Sequence, residues 1–339
     1  MKFGPIPVRE SAGLIAAHGV RGDGFAVRKG QTITLENAAA LERAGLAEVV
    51  VAILEPGDVG EDAAAERLAH CLAGPGLRIE PPFTGRCNLF AEHAGVFLVE
   101  AETVDALNGV DESITAATLP PFKPVVAGEM VATVKIIPYA VAGAALGRAA
   151  TQVPAPPLRI APYRRRRVAV ISTLLSGLKP ATIDKTLRVL ANRLAPAGAE
   201  IVVESRVPHE ARAVAEALGQ AAAAADLVVV FGASAIADRR DVIPAGIEAA
   251  GGQVAHFGMP VDPGNLLLLG ALREMPVIGA PGCARSPVEN GFDWILHRLL
   301  ADLPVTRADI VRLGVGGLLM EIVSRPQPRE GGASSGEEA

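Results

Sequence analysis

Two short apolar runs in the second half of the sequence constrain the fold more than any other feature. The runs VAVI (Val168–Ile171) and LVVVF (Leu227–Phe231) are rich in β-branched residues and do not alternate with polar ones. Such runs are typical of strands that are buried on both faces, as in a parallel sheet covered by helices. Because helix-length segments separate successive strands here, residues 167–322 are predicted to form an α/β domain with a doubly wound, mostly parallel sheet. The run NLLLLGALR (Asn265–Arg273) is interpreted as helix or loop.

The ends of these two strands are where a ligand site is expected, because ligands of open α/β sheets bind beyond the carboxyl ends of the strands. The sequence places Ser172 and Thr173 after the first run, and Gly232, Ala233 and Ser234 after the second. Small residues let a ligand approach the backbone, whose N–H groups can bind an anion where a helix begins. These residues are therefore candidate binding residues.

Two further turns of similar composition fall at the same predicted edge, PVDPGN (Pro260–Asn265) and GAPGCARSPVENGF (Gly279–Phe292). Each by itself is compatible with a simple turn, but together with the first loops they favour a common pocket. The Cys283 thiol is either a structural group or a thiolate favoured by the following helix and Arg285. The candidate binding residues of these turns are Pro263, Gly264, Pro281, Gly282 and Cys283.

Asp184 and Asp241 are the candidate catalytic and metal-binding residues. Both open predicted helices, where an aspartate commonly serves as an N-cap. Carboxylates that converge on a phosphate site would also suit Mg²⁺, which takes one or two of them together with phosphate oxygens and water. Neither GxGxxG nor GxxxxGK[ST] occurs at the strand ends, so a dinucleotide site and a P-loop are poorly supported.

The remaining sequence suggests a second domain and a separate tail. Residues 1–152 are expected to form a mixed α+β domain, residues 153–166 a proline-rich linker, and residues 323–339 a disordered tail. The run RRRR (Arg164–Arg167) is either a solvated hinge or an anion-steering patch.

Charge and cysteine content exclude several classes of protein. The net charge of −5 provides no basic field for nucleic acid. The three cysteines are far apart and suggest neither a disulfide framework nor a metal site, which favours a reducing compartment. No apolar signal core opens the sequence and no run is long enough to span a membrane, so a cytoplasmic protein without a membrane partner is expected.

In order and spacing, the strand-end motifs resemble the molybdopterin-binding domain of molybdenum-cofactor biosynthesis. That domain is shared by molybdopterin adenylyltransferases and molybdopterin molybdenumtransferases. The resemblance implies a pocket for the pterin and its phosphate, with nearby acids taking part in metal-dependent transfer. The motifs that carry it are IST (Ile171–Thr173), Asp184, FGAS…RRD (Phe231–Asp241), DPGN (Asp262–Asn265) and APGCARSP (Ala280–Pro287).

Three departures from the family pattern bear on the reaction. Leu174 and Leu175 replace an acid of the family pattern, and Phe231-Gly232-Ala233 replaces its Thr-Gly-Gly loop. Asp262 and Asn265 flank the Pro-Gly turn in place of lysines. Binding through backbone amides survives these changes. The resemblance therefore implies molybdopterin binding, with molybdenum insertion by a molybdenumtransferase-like reaction as the activity. The alternative is a non-catalytic molybdopterin carrier or scaffold that acts with a separate nucleotidyltransferase.

The first half resembles one branch of the same family. Its motifs TGRCNLFAEHAG (residues 84–95) and MVATVKIIPYAV (residues 130–141) are similar to bacterial proteins in which this domain precedes a nucleotidyltransferase-like domain. No such domain follows VGGLLMEIVSRPQPRE in this sequence. A separate nucleotidyltransferase or a molybdoenzyme is therefore an expected partner, and a homo-oligomer is expected because relatives tend to form them.

Overall fold

The computed structural model of the protein describes residues 1–177, 179–262 and 265–319. Two compact units make up the chain, one of residues 1–162 and one beginning at residue 163. The candidate residues Pro263 and Gly264 and the predicted tail 323–339 lie outside the described residues. None of the described helices is long and apolar enough to cross a membrane.

The first unit combines small antiparallel sheets with four short helices. The sheets have the strand orders β1-β5-β2, β3-β4, β13-β6, β10-β12-β8-β7 and β11-β9-β14. The helices are α1 (Leu35–Arg43), α2 (Glu61–Leu72), α3 (Ala101–Asn108) and α4 (Gly143–Thr151). The strands are β1 (Lys2–Pro7), β2 (Ile15–Ala16), β3 (Val20–Gly22), β4 (Phe25–Val27), β5 (Glu48–Ile53), β6 (Asp58–Gly60), β7 (Leu77–Ile79), β8 (Arg86–Ala91), β9 (Gly95–Val99), β10 (Ile114–Thr118), β11 (Pro124–Val125), β12 (Met130–Ile136), β13 (Ala140–Ala142) and β14 (Leu158–Pro162). The expected mixed α+β region is confirmed.

Helix α2 supplies the core of this unit. Its fully buried Leu68 and Leu72 are four residues apart and therefore lie on one helical face. They pack in one cluster with Leu89 of β8 and Val134 of β12. The main hydrophobic core of the first unit thus lies between this helix and the four-stranded sheet.

Strand β14 lies inside the segment interpreted as a linker. It pairs antiparallel with β9. Leu158 and Ile160 alternate with exposed Arg159 and are almost completely buried. Their apolar burial explains why a proline-rich stretch forms a strand here, and only residues 163–166 remain between β14 and the next strand.

The second unit is built around a six-stranded sheet with the order β16-β15-β17-β20-β19-β18. Strands β16, β15, β17 and β20 are mutually parallel, and β19 runs antiparallel to both of its neighbours. The predicted doubly wound, mostly parallel sheet is confirmed. Its strands are β15 (Arg167–Leu174), β16 (Glu200–Pro208), β17 (Leu227–Phe231), β18 (Gln253–Met259), β19 (Asn265–Leu272) and β20 (Met275–Ala280). Its helices are α5 (Pro180–Leu194), α6 (Ala211–Ala221), α7 (Val242–Ala249), α8 (Gly291–Leu300) and α9 (Arg307–Arg312).

The order of the strands places helices on both faces of this sheet. Helix α5 leads from β15 to β16, whereas α6 leads in the opposite direction across the sheet, from β16 to β17. Because parallel crossovers are right-handed, these two helices lie on opposite faces. Helices α6 and α7 share a core with Ala169 and Ile171 of β15, while Val170 points to the other face and is also fully buried.

The interpretation of Asn265–Arg273 as helix or loop is wrong. Residues 265–272 form β19, which turns back through Arg273 and Glu274 into β20. Arg273 adopts a left-handed conformation with φ of 57°, as a tight turn requires. The run is continuously apolar because both faces of β19 are covered.

Candidate functional site

The carboxyl ends of three neighbouring strands meet at one edge of the six-stranded sheet. Ser172 of β15 lies opposite Phe231 of β17, and Phe231 lies opposite Ala280 of β20. Adjacent strands are about 4.8 Å apart, so the segments that follow them begin close together. The structure therefore brings the loops at Thr173, Gly232 and Pro281 to the same edge, as the sequence analysis expects. Ser172 itself is 3% exposed within β15.

One peptide group in the loop after β17 is held from both sides. The Nη2 atom of Arg285 donates to the carbonyl oxygen of Gly232 at 2.9 Å. The N–H of Ala233, which belongs to the same peptide group, donates to Oγ1 of Thr173 at 2.8 Å. A Cβ atom on Gly232 would lie 2.5 Å from the carbonyl oxygen of Ser234, so this close turn requires glycine. The loop thus has a fixed direction where it leaves the sheet.

Thr173 extends this network to His209. The Thr173 side chain is almost completely buried, and its Oγ1 lies 2.8 Å from Nδ1 of His209. His209 follows β16 directly, and its backbone N–H donates to the carbonyl oxygen of Leu174 at 3.0 Å. The imidazole is therefore placed at the same sheet edge by contacts of both its backbone and its ring.

Arg285 places a guanidinium cation at this edge. Its guanidinium lies 5.2 Å from the centre of the Phe231 ring, and its Nη1 donates to Oγ1 of Thr186 on α5 at 3.0 Å. Burial lowers the pKa of Arg285, but a guanidinium keeps its proton in proteins. Two of its five N–H groups serve the hydrogen bonds to Thr186 and Gly232. The remaining N–H groups of this guanidinium are charged donors that a ligand can accept from.

A second arginine, Arg193 on α5, holds the segment that carries Arg285. Its buried guanidinium donates to Oδ1 of Asp293 at 2.6 Å. It also donates to the carbonyl oxygens of Ala284 and Ser286, at 2.9 Å and 2.6 Å. These contacts join α5 to the 3-10 turn Gly282–Arg285 and to the start of α8. The position of Arg285 therefore depends on Arg193.

Cys283 has a structural environment. Its Sγ donates to Oδ1 of Asn290 at 3.4 Å and accepts from Nδ2 of Asn265 at 3.6 Å. Burial raises the pKa of the Cys283 thiol, and the charge of Asp262 raises it further. Of the two alternatives for Cys283, the raised pKa favours the structural group over a thiolate, because loss of hydration outweighs the nearby positive charge of Arg193.

The two candidate acids have other partners. Oδ1 of Asp184 accepts from Nη2 of Arg206 on β16 at 2.7 Å. Asp241 is the N-cap of α7 and accepts from the N–H groups of Val242 and Ala237, at 2.7 Å and 3.1 Å. Across residues 1–177, 179–262 and 265–319, no three His, Cys, Asp or Glu side chains are grouped to hold a metal ion. These residues do not fit a resident Mg²⁺ site, and we assign no step to one.

The amides available to an anion are fewer than the sequence analysis expects. The N–H of Ala233 is taken by Thr173, and the N–H of Ala284 by the carbonyl oxygen of Pro281. Ser234 and Ala235 are exposed, and within the described part of the chain their N–H groups have no protein partner. The amides of Ser234 and Ala235, together with Arg285, are therefore accessible anion-binding groups of this loop.

Sequence reasoning did not identify Thr186, Arg193 or His209 as parts of this edge. His209 follows a strand just as Thr173 does, so the strand-end rule applied to β16 would have found it. No comparable signal marks Thr186 or Arg193, which lie inside a helix and reach the site only through the fold.

The fold and the site together define an α/β domain that presents a cation and exposed amides at the carboxyl edge of a parallel sheet. Residues 168–302 match the family model described as a probable molybdopterin binding domain. The match confirms, for this segment, the resemblance to the molybdopterin-binding domain that the motifs indicate. Residues 5–53 match the model of a domain of unknown function, DUF8806.

Solved structures of molybdenum-cofactor biosynthesis proteins are similar to parts of the chain. A molybdopterin biosynthesis MoeA protein from Pyrococcus horikoshii is 16% identical, with 89% of this chain and 75% of that chain covered and a TM-score of 0.32. A molybdenum cofactor biosynthesis protein B is 15% identical, with 41% and 95% covered and a TM-score of 0.32. A molybdenum cofactor biosynthesis protein from Pyrococcus furiosus is 11% identical, with 92% and 65% covered and a TM-score of 0.26. No curated protein matches the chain.

Proposed function

We propose that residues 168–302 bind molybdopterin at the carboxyl edge of β15, β17 and β20. The observation that carries this proposal is the anchoring of the Gly232–Ala233 peptide group between Arg285 and Thr173. Anchoring at both atoms fixes the start of the loop whose next amides, those of Ser234 and Ala235, are exposed. A preorganised loop loses less conformational entropy when a ligand binds.

The donors at this edge suit the phosphate of the ligand. A guanidinium presents a planar set of N–H groups that matches phosphate oxygens, and its charge strengthens each hydrogen bond. Exposed amides of a loop that leads into a helix add neutral donors. The site therefore takes an anionic group without needing a metal ion to neutralise it.

Within molybdenum-cofactor biosynthesis, we favour a molybdopterin carrier or scaffold that acts with a separate nucleotidyltransferase. The observation that favours this role is the engagement of both candidate acids, Asp184 by Arg206 and Asp241 by the start of α7. A molybdenumtransferase-like reaction needs carboxylates that are free to hold metal beside the ligand. Molybdenum insertion is the second candidate, because Asp241 ends the same loop that Arg285 contacts. The free thiols of Cys71, Cys87 and Cys283 favour the reducing cytoplasm.

Anaerobic titration calorimetry of the full chain with molybdopterin tests the binding proposal. The wild-type chain should bind, and Arg285→Gln should weaken binding by about 10-fold or more, the effect of losing a hydrogen bond to a charged group. Arg212→Gln is the matched control, because Arg212 lies on α6 with a side chain that is 90% exposed. A wild-type chain that binds no molybdopterin would refute the proposal.

A molybdate-dependent assay of cofactor formation separates the two roles. A carrier produces no active cofactor from molybdopterin and molybdate, whereas an inserting enzyme does. The variant Asp241→Asn is informative because asparagine is as good an N-cap as aspartate and α7 is retained. Turnover by the wild type that Asp241→Asn abolishes would establish molybdenum insertion and exclude the carrier.

A further inference from the structure

One ring nitrogen of His209 contacts a protein side chain, and the other has no hydrogen-bond partner among the described residues. Its Nδ1 lies 2.8 Å from Thr173 Oγ1. Within the ranges 1–177, 179–262 and 265–319, no residue forms a hydrogen bond with its Nε2. The ring is half-buried at the edge where the three strand ends meet. A half-buried imidazole held at one nitrogen can present the other to a ligand.

The direction of the bond between Thr173 and His209 follows from the third partner, Ala233. The Thr173 hydroxyl accepts from the N–H of Ala233, and it has a single proton of its own to donate. Among the described residues, Nδ1 of His209 at 2.8 Å is the acceptor available to that proton, so the buried hydroxyl donates to Nδ1. A neutral imidazole that accepts at Nδ1 carries its own proton on Nε2. The nitrogen without a protein partner is therefore a hydrogen-bond donor.

A donor at this position recognises an anion. Arg285 already provides a positive charge to the loop after β17 through its bond to Gly232. Thr173 links His209 to the same peptide group. One peptide group thus joins two donors, a guanidinium and an imidazole. Such a pair suits oxygen atoms of a phosphate better than the neutral edge of a pterin ring.

We propose that His209 is a specificity-determining residue that donates Nε2–H to the phosphate of the ligand, and that Thr173 is the positioning residue that fixes its tautomer. This inference rests on the proposed function, because it concerns the phosphate of the same ligand. It goes further in assigning to His209 a share of the preference for phosphorylated over dephosphorylated pterins. The asparagine side chain reaches the position of Nδ1 but not that of Nε2, whereas glutamine reaches that of Nε2.

The experiment titrates the full chain with molybdopterin released anaerobically from a molybdoenzyme, and with the same pterin after phosphatase treatment. His209→Asn should bind molybdopterin about 10- to 100-fold more weakly, as expected for a lost hydrogen bond to a charged group. Its affinity for the dephosphorylated pterin should not change. His209→Gln should lose less affinity than His209→Asn. Thr173→Val should weaken molybdopterin binding more in the wild-type background than in the His209→Asn background, where it removes only the anchor of the Ala233 N–H.

The outcomes separate this inference from the proposed function. A wild-type chain that binds molybdopterin together with a His209→Asn chain that binds equally well would overturn the inference alone. A wild-type chain that binds neither ligand would overturn both. If His209→Asn does not fold, His209→Ala decides: weaker binding of molybdopterin with unchanged binding of the dephosphorylated pterin would support the inference, and unchanged binding of both ligands would overturn it.

Discussion

Replacement of Arg193 by methionine tests whether the contacts of Arg193 on α5 with residues 284–293 stabilise the second unit. The Arg193 and Asp293 side chains are 7% and 10% exposed, and methionine would leave the Asp293 carboxylate buried without its cation. Breaking a buried ion pair by removing one partner costs about 3–5 kcal/mol. The carbonyl oxygens of Ala284 and Ser286 also lose their donors. We therefore expect Arg193→Met to lower the free energy of unfolding by at least about 3 kcal/mol.

The chain provides its own probe for this measurement. Trp294, its single tryptophan, follows Asp293 on α8, so its emission during urea denaturation reports the unfolding of the second unit. The matched control is Arg212→Met, which removes an exposed pair with Glu216 four residues along α6. That pair should contribute about 0.3–0.5 kcal/mol. If the free energy of unfolding of Arg193→Met lies within about 1 kcal/mol of the wild-type value, the contacts of Arg193 do not stabilise the second unit. That threshold is well below the cost of breaking a buried ion pair.

Three further predictions concern single positions. Gly232→Ala should destabilise the second unit by about 1–3 kcal/mol because its Cβ meets the carbonyl oxygen of Ser234. The control Gly219→Ala, at an exposed position of α6, should stabilise it in the same urea series. Alkylation of Cys283 by iodoacetamide, followed by mass spectrometry, should be much slower in the folded than in the urea-unfolded chain, since burial raises its pKa and thiolate is scarce; equal rates would contradict this. Burial raises the pKa of Asp309, but hydrogen bonds from Thr306 and the charge of Arg298 outweigh it and leave the pKa below its ordinary value. Asp309 therefore stabilises the fold above its unfolded pKa and loses this effect as pH falls through the folded value, so Asp309→Asn should flatten the decline in stability between pH 5 and pH 3, within the range expected for a lowered aspartate pKa.

The parts of the fold that periodicity determines could be predicted. Strands β15 and β17 follow from unalternating β-branched runs, and their carboxyl ends correctly indicate where the loops at Thr173 and Gly232 converge. Strand β19 could not be identified, because a continuous apolar run such as Asn265–Leu272 fits a buried helix and a buried strand equally well. Only its antiparallel pairing with β20 distinguishes the two.

The sequence predicted which loops meet at the site, but not the side-chain contacts between them. Arg285 contacts Gly232 across 53 residues of sequence, and Thr173 contacts His209 across 36. Contacts at such separations depend on how the strands are ordered, which composition and spacing do not determine. The same applies to Asp184, whose pairing with Arg206 on the edge strand follows from the position of α5 beside β16.

The peptide group between Gly232 and Ala233 has a mechanical consequence for the two helical layers. Thr186 and Arg285 approach it from the layer that contains α5, and Thr173 lies on the face that α6 and α7 cover. Displacement of this one plane would therefore lengthen hydrogen bonds to residues on both faces of the sheet.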